Sequence, residues 1–156
     1  HPEKISPGVE QAILEAREEG FENIFVAYAD CGTGGHLDVV CEKHGVERIA
    51  GPHCFSFYIG NESFAESGDD YITSFFMTDF LARHFETFMV KPLGLDKHPE
   101  LLEMYFGNYT KMIYIAQTED DQLTANAIAA AKFLGLEYEK RSTGYGELTP
   151  ALKAIG

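Results

Sequence analysis

The chain has 156 residues, of which 45% are hydrophobic and 24% charged, the composition of an ordinary globular protein. Its net charge of −13 disfavours nucleic acids and anionic membranes as partners, because phosphate backbones and acidic lipid headgroups are also negative. No apolar run reaches membrane-spanning length and no secretory signal is visible, so we expect a cytoplasmic protein. Three cysteines give no disulfide framework, and reduced thiols are expected.

The first part of the chain predicts a helix followed by a strand–helix–strand unit. The helix spans residues 7–19, with Ser6 as its cap and Gly20 after its end. The apolar run over residues 23–29 predicts a strand buried on both faces. A helix from His36 to Lys43, ended by Gly45, and a short strand over residues 46–50 complete the unit.

The middle of the chain gives less regular signals. Residues 55–60 fit a helix or a strand, and the polar residues 61–70 predict a surface loop. Residues 73–88 carry apolar side chains at helical spacing and predict one long helix. A further helix is expected from Pro99 to Phe106.

The last part of the chain repeats the pattern of residues 23–51. A buried strand over 111–116 precedes a helix to Phe133, a glycine stop, an alternating strand over 136–141 and a final helix. This alternation predicts an α/β fold of three layers, with a mostly parallel sheet, helices on both faces and two βαβ units. We expect one domain over residues 1–156.

The strongest functional signal is a pair of cysteines that follow two sequential strands. Cys31 lies in a glycine-rich turn after the first strand, and His53-Cys54 follows the second. Ligands of parallel sheets bind at the carboxyl ends of strands, and thiolates and imidazoles are ligands for zinc and iron. We therefore predict Cys31, Cys54 and His53 as metal ligands, and Cys41 as a core residue on a helix face.

Other turns carry residues that suit ligand binding. The backbone N–H groups of Gly32-Thr33-Gly34-Gly35 could cradle an anion, although this turn matches neither the P-loop nor the full dinucleotide-binding motif. The sequence Asp96-Lys97-His98 partly matches the Asp-x-His-x-x-Gly pattern of corrinoid proteins, but Leu101 stands where the glycine belongs. The predicted ligand-binding residues are Asp30, Gly32, Thr33, Gly34, Gly35, His98, Gly144 and Tyr145. Asp79 and Arg83, four residues apart, predict an ion pair on a helix.

Seven runs of the sequence together carry a resemblance to one family. They are 28–35, 51–54, 78–85, 94–101, 105–109, 116–118 and 143–146. They resemble the uncharacterised family called domain of unknown function DUF1638, and the resemblance covers nearly the whole chain. It implies a corrinoid connection, because some members occur near corrinoid-dependent methyl-transfer proteins of archaea and bacteria. It also implies that a βα segment with another cysteine precedes residue 1, which would give three strand-end cysteines, similar to iron–sulfur ligation in nitrogenase-like domains.

The first functional hypothesis is therefore a metal-binding domain that holds zinc or an iron–sulfur cluster. Both need about four ligands, so two cysteines are too few alone. The remaining ligands would come from His53, Asp30, a preceding segment or a second subunit of a homo-oligomer.

Three alternatives stay open from the sequence. The protein could be a corrinoid or methyl-transfer accessory protein, a cysteine-dependent enzyme in which His53 is the base for Cys31, or a plain interaction module. Whether the protein is an enzyme is undecided at this level. The expected partners are a small molecule or metal and a corrinoid protein.

Overall fold

A computed structural model describes residues 1–66 and 71–154. The chain divides into two compact units. Unit 1 comprises residues 1–61 together with the end of the chain from Gly146, and unit 2 comprises residues 62–145.

Unit 1 is built around a short parallel pair of strands. A 3₁₀ turn at Pro2–Lys4 leads into helix α1, Ile5–Glu18. Strands β1, Phe25–Val26, and β2, Glu47–Arg48, flank helix α2, His36–His44. Helix α3 spans Cys54–Ile59.

The core of unit 1 forms from the apolar faces of these elements. Gly45 ends α2 in the left-handed conformation, which glycine adopts without a steric penalty. Cys41 is buried to 5% exposure, which confirms it as a core residue. One buried cluster of this core consists of Ile13, Val26, Leu37, Cys41 and Val46.

Unit 2 contains a three-stranded parallel sheet with β4 in the centre. Helix α4, Asn61–Glu66, runs across the boundary between the units in sequence. The sheet order is β3 (Ser74–Thr78), β4 (Lys111–Ala116) and β5 (Glu137–Ser142). Strand β3 is followed by helix α5 (Asp79–Phe85), a π-helical segment (Glu86–Val90) and helix α6 (Leu101–Phe106). Helix α7 (Asp121–Leu134) connects β4 to β5. After β5 the chain returns to unit 1, where it forms helix α8 (Leu148–Lys153).

Every strand pair in the described parts of the chain is parallel, and helices connect the strands. The predicted α/β class is therefore confirmed. Both predicted βαβ units are present, as β1–α2–β2 and β4–α7–β5. Five residues of β4, from Met112 to Ala116, are buried, as a continuous apolar run in a central parallel strand predicts.

The long helix predicted over residues 73–88 is wrong in its first third. Residues 74–78 form strand β3, paired with β4 along its length, and only from Asp79 does the chain become helical. The segment carries two phenylalanines and two hydroxyl residues, which suit a strand, and pairing with β4 outweighs the helical spacing.

Three smaller predictions are also corrected. Ser6 does not cap α1, because the helix begins two residues earlier, with Lys4 at the cap position. Residues 61–66 form a helix rather than a loop, and residues 67–70 of that prediction lie outside the described part of the chain. The strand predicted over residues 23–29 is not buried on both faces, since Tyr28 is 43% exposed.

Within residues 1–66 and 71–154, no helix has both the length and the apolar character that a membrane crossing needs.

Candidate functional site

Asp30 organises the turn that carries Cys31. Its carboxylate accepts hydrogen bonds from the Thr33 hydroxyl and from the backbone N–H groups of Gly34 and Gly35, at 3.3 and 2.9 Å for the latter two. These hydrogen bonds, led by that of Thr33, hold the pKa of Asp30 below its usual range. The Gly34 and Gly35 N–H groups of this turn therefore already donate to a carboxylate of the protein itself.

The backbone of Cys31 is held against the second strand end. The Asp30 N–H donates to the Gly51 carbonyl at 3.2 Å, and the Cys31 N–H donates to the Pro52 carbonyl at 3.0 Å. These two bonds extend the parallel pairing of β1 and β2 beyond the strands. Cys31 has a φ of 47°, a left-handed conformation that non-glycine residues adopt infrequently and that the Asp30 hydrogen bonds maintain.

His53 and Cys54 occupy the start of helix α3. The His53 Nδ1 accepts the Phe55 N–H at 3.4 Å, so this imidazole caps the helix in the way that an Asx side chain commonly does. The His53 ring also stacks on Phe55, with 4.6 Å between ring centroids. The Ser56 hydroxyl donates to the His53 carbonyl at 2.7 Å and closes the turn.

The two cysteines meet at the carboxyl edge of the β1–β2 pair. Cys31 and Cys54 are both half-buried and free of disulfides, and Cys31 is close enough to the Cys54 thiol to raise its pKa. They pack against a small apolar cluster of Ala29, Ile49 and Phe57. The convergence predicted from sequential strand ends is therefore present in the fold.

Burial keeps Cys54 and His53 neutral at physiological pH. Burial, followed by the effect of the adjacent Cys31, raises the pKa of the Cys54 thiol to about 11. Burial also lowers the pKa of His53, which favours the neutral imidazole. The Cys54 Sγ lies 3.6 Å from the His53 Nδ1, so a thiol and an uncharged nitrogen stand side by side.

A layer of residues beneath the His53–Cys54 turn positions it. The Asn61 Nδ2 donates to the Ala50 carbonyl at 3.1 Å, and the Glu147 carboxylate accepts from the Asn61 backbone N–H at 2.9 Å. A Cβ added to Gly51 would lie 2.7 Å from the Asn61 Oδ1 and 2.8 Å from the Ser56 Oγ. Gly51 is therefore required by close packing as well as by its φ of 145°.

Sequence reasoning did not find Ser56, Asn61 or Glu147. Ser56 follows a histidine cap, which is an uncommon helix start and gives no clear pattern. Asn61 and Glu147 are far apart in the chain, and a non-local hydrogen bond between them leaves no periodic signal in a single sequence.

The remaining predicted ligand residues do not join the thiol pair in a described contact. Gly32, Thr33, Gly34 and Gly35 form the Asp30 turn beside it. His98 belongs to unit 2, where its exposed ring lies 3.1 Å from the Glu100 carboxylate. Gly144 and Tyr145 also belong to unit 2, and the Tyr145 side chain is 53% exposed.

One distance at Cys54 equals the separation of two ligands of a tetrahedral metal. With zinc bonds of about 2.3 Å to sulfur and about 2.0 Å to nitrogen, the two ligand atoms stand roughly 3.5 Å apart. The Cys54 Sγ and His53 Nδ1 are 3.6 Å apart. Over residues 1–66 and 71–154, however, no three His, Cys, Asp or Glu side chains are already arranged as a ligand group. The site is therefore a thiol pair with an adjacent imidazole, and His53 must leave the Phe55 N–H to complete a triad.

The fold and this site define an α/β protein with a Cys–His cluster at the carboxyl edge of a parallel strand pair. The family model described as protein of unknown function (DUF1638) matches residues 1–152, and the chain belongs to that family. The resemblance seen in the sequence is thereby confirmed. Neither curated proteins nor solved structures gave a significant match.

Proposed function

We propose that this protein binds one thiophilic metal ion of the zinc type, with Cys31 and Cys54 as thiolate ligands and His53 as the third ligand. The observation that supports the proposal is the approach of the two cysteines from separate strand ends: the Cys31 N–H donates to the Pro52 carbonyl at 3.0 Å, and both cysteines pack against one apolar cluster. A zinc site uses four ligands, so water or a group from a second copy would fill the fourth position.

The protonation states agree with a site that forms when the metal enters. The neutral His53 offers a lone pair, and the metal displaces the thiol protons because a coordinated thiol is deprotonated even where its free pKa is high. Asp30 is not included among the ligands, because its carboxylate accepts the hydrogen bonds of its own turn.

An iron–sulfur cluster is the weaker form of the metal proposal. Such a cluster takes about four ligands, mostly thiolates, and two cysteines are present at this edge. A second copy or further chain would have to supply the others. Cys41 does not, because it is buried in the α1–α2 core.

The corrinoid hypothesis gains no specific support from His98. Its ring is exposed and lies beside the Glu100 carboxylate, two residues away. Surface histidines without a ligand commonly make such a contact. A corrinoid role stays a prediction from the resemblance and from the partial Asp96–His98 pattern.

Cobalt substitution tests the metal proposal directly. Metal-free protein is prepared without oxygen, with a chelator that is then removed, and titrated with Co²⁺. Tetrahedral cobalt with two thiolates gives intense visible bands and a sulfur-to-cobalt charge-transfer band, and we expect these to saturate at one equivalent.

The variants identify the ligands. C41S is the matched control and retains the bands, while C31S and C54S lose them. H53N binds cobalt more weakly, because the amide is a poorer ligand than imidazole. Bands of equal intensity in the C31S/C54S double variant, or no bands in the unmodified protein, would contradict the proposal.

A further inference from the structure

We propose that Cys31 and Cys54 also form a dithiol that reacts with small disulfides and closes to an intramolecular disulfide. This activity uses the same two sulfurs as the proposed metal site but needs no metal. The class of substrate is a low-molecular-weight disulfide such as oxidised glutathione.

The backbone geometry places the two sulfurs for this reaction. The Cys31 N–H is bonded to the Pro52 carbonyl at 3.0 Å, so the two cysteines stand on segments that are hydrogen-bonded side by side. Both cysteines also pack against the same apolar cluster of Ala29, Ile49 and Phe57. Disulfide closure requires neighbouring backbones of this kind, because bridged Cα atoms lie within about 7 Å of each other.

The surroundings restrict the reaction to this pair. Cys31 and Cys54 are only half-buried, while Cys41 is buried among Ile13, Leu37 and their neighbours, so a small reagent reaches the pair more readily than Cys41. The Asp30 hydrogen bonds hold the Cys31 turn in place, so little ordering of the chain is needed when the bond forms.

The steps balance with the disulfide as the oxidant. The Cys31 sulfur attacks one sulfur of oxidised glutathione and forms a mixed disulfide. The S–S bond of the glutathione disulfide breaks, and the other glutathione leaves with the Cys31 proton. The Cys54 sulfur then attacks the Cys31 sulfur of the mixed disulfide, and the second glutathione leaves with the Cys54 proton. The protein dithiol is oxidised by two electrons and one glutathione disulfide is reduced to two thiols.

The test uses the full chain in the presence of a chelator, over a range of glutathione redox ratios. Samples are quenched with acid, alkylated and digested for mass spectrometry. We expect a Cys31–Cys54 cross-linked peptide, a mass loss of about 2 Da, and loss of two alkylation sites. C41S behaves like the unmodified protein, while C54S accumulates a mixed disulfide with glutathione at Cys31 and C31S forms no cross-link.

The outcomes separate this inference from the metal proposal. A Cys31–Cys54 cross-link in a protein that binds no cobalt supports the dithiol and rejects the metal site. Cobalt binding without the cross-link, with mixed disulfides on both cysteines, overturns the dithiol and leaves the metal site standing. Cross-links that involve Cys41 also overturn it.

Discussion

At the scale of single residues, the chemistry of the site depends on how burial sets protonation. Cys54 and His53 stand 3.6 Å apart, and burial favours the uncharged form of both. A nucleophilic cysteine is usually paired with a protonated histidine, which lowers the thiol pKa. Cys54 has the opposite setting, so it suits a ligand or a resolving thiol better than an attacking one.

The first prediction concerns the reactivity of Cys54 in metal-free protein. Because its pKa is raised to about 11, its alkylation by iodoacetamide should accelerate about tenfold per pH unit from pH 7 towards that value. Peptide mapping by mass spectrometry measures the rate at Cys54 separately from the other thiols. A rate that reaches its plateau near pH 8 would contradict the raised pKa.

The second prediction concerns Asp30. D30N should lower the free energy of unfolding by about 1–3 kcal/mol at neutral pH, since the amide replaces a charged acceptor of several hydrogen bonds. The pKa of Asp30 is lowered in the folded protein, so its contribution is present above the ordinary value of 3.8 and is lost as the pH falls through the folded value.

Urea unfolding at several pH values checks this second prediction. The difference between unmodified protein and D30N should be largest at neutral pH and should shrink below about pH 4. A difference that grows on acidification would mean that Asp30 does not act through its charge.

At the scale of elements, turns and strand pairing decide what the sequence can predict. The α2 and α7 boundaries follow from local signals, a glycine after each helix and an aspartate cap at Asp120. The convergence of Cys31 and Cys54 also follows from sequence, because sequential strands of a βαβ unit pair side by side. Strand β3 does not, because its pairing with β4 is non-local.

The contacts that complete the site could not be predicted for the same reason. Histidine capping at His53 and the Asn61–Glu147 hydrogen bonds depend on where distant segments fold. The predicted ion pair between Asp79 and Arg83 is also not formed. The Asp79 carboxylate accepts from the Tyr114 hydroxyl at 2.8 Å instead.

The third prediction concerns the turn before His53. G51A should reduce cobalt affinity and lower the free energy of unfolding, because the added methyl would contact Asn61, Ser56 and Phe57 at 2.7 to 2.9 Å. G45A is the control, since that glycine also has a positive φ but open space at its Cβ. G51A should cost at least about 1 kcal/mol more than G45A in chemical unfolding. Equal effects would show that the close packing at Gly51 is not required.

The fourth prediction concerns the connection of β3 to β4 in unit 2. The Asp79 carboxylate accepts from the Gln117 N–H at 3.1 Å and from the Thr118 N–H and hydroxyl at 2.9 and 2.7 Å, in addition to Tyr114. D79N places an amide against these donors and should cost about 1–3 kcal/mol. Hydrogen exchange should show faster exchange of the β3 and β4 amides.

The exposed Asp96 provides the control for Asp79. D96N should change the free energy of unfolding by less than about 0.5 kcal/mol, as is usual for surface substitutions. If D79N is equally mild, the hydrogen bonds at Asp79 contribute little to the stability of unit 2.

At the scale of the whole molecule, the net charge and the thiol pair restrict the function in the same direction. A charge of −13 disfavours polyanionic partners and is compatible with a cation as ligand. The family model covers residues 1–152 and describes members of unknown function, so the Cys31–Cys54 pair carries the functional assignment. The metal proposal is thus the central claim of the account.

Elemental analysis of protein purified without oxygen tests that claim most directly. We predict about one zinc per chain in the unmodified protein and in C41S, and none in the C31S/C54S double variant. Iron with acid-labile sulfide in place of zinc would show a cluster and would require ligands beyond the thiol pair and His53. The absence of metal from the unmodified protein, or equal metal in the double variant, would contradict the account.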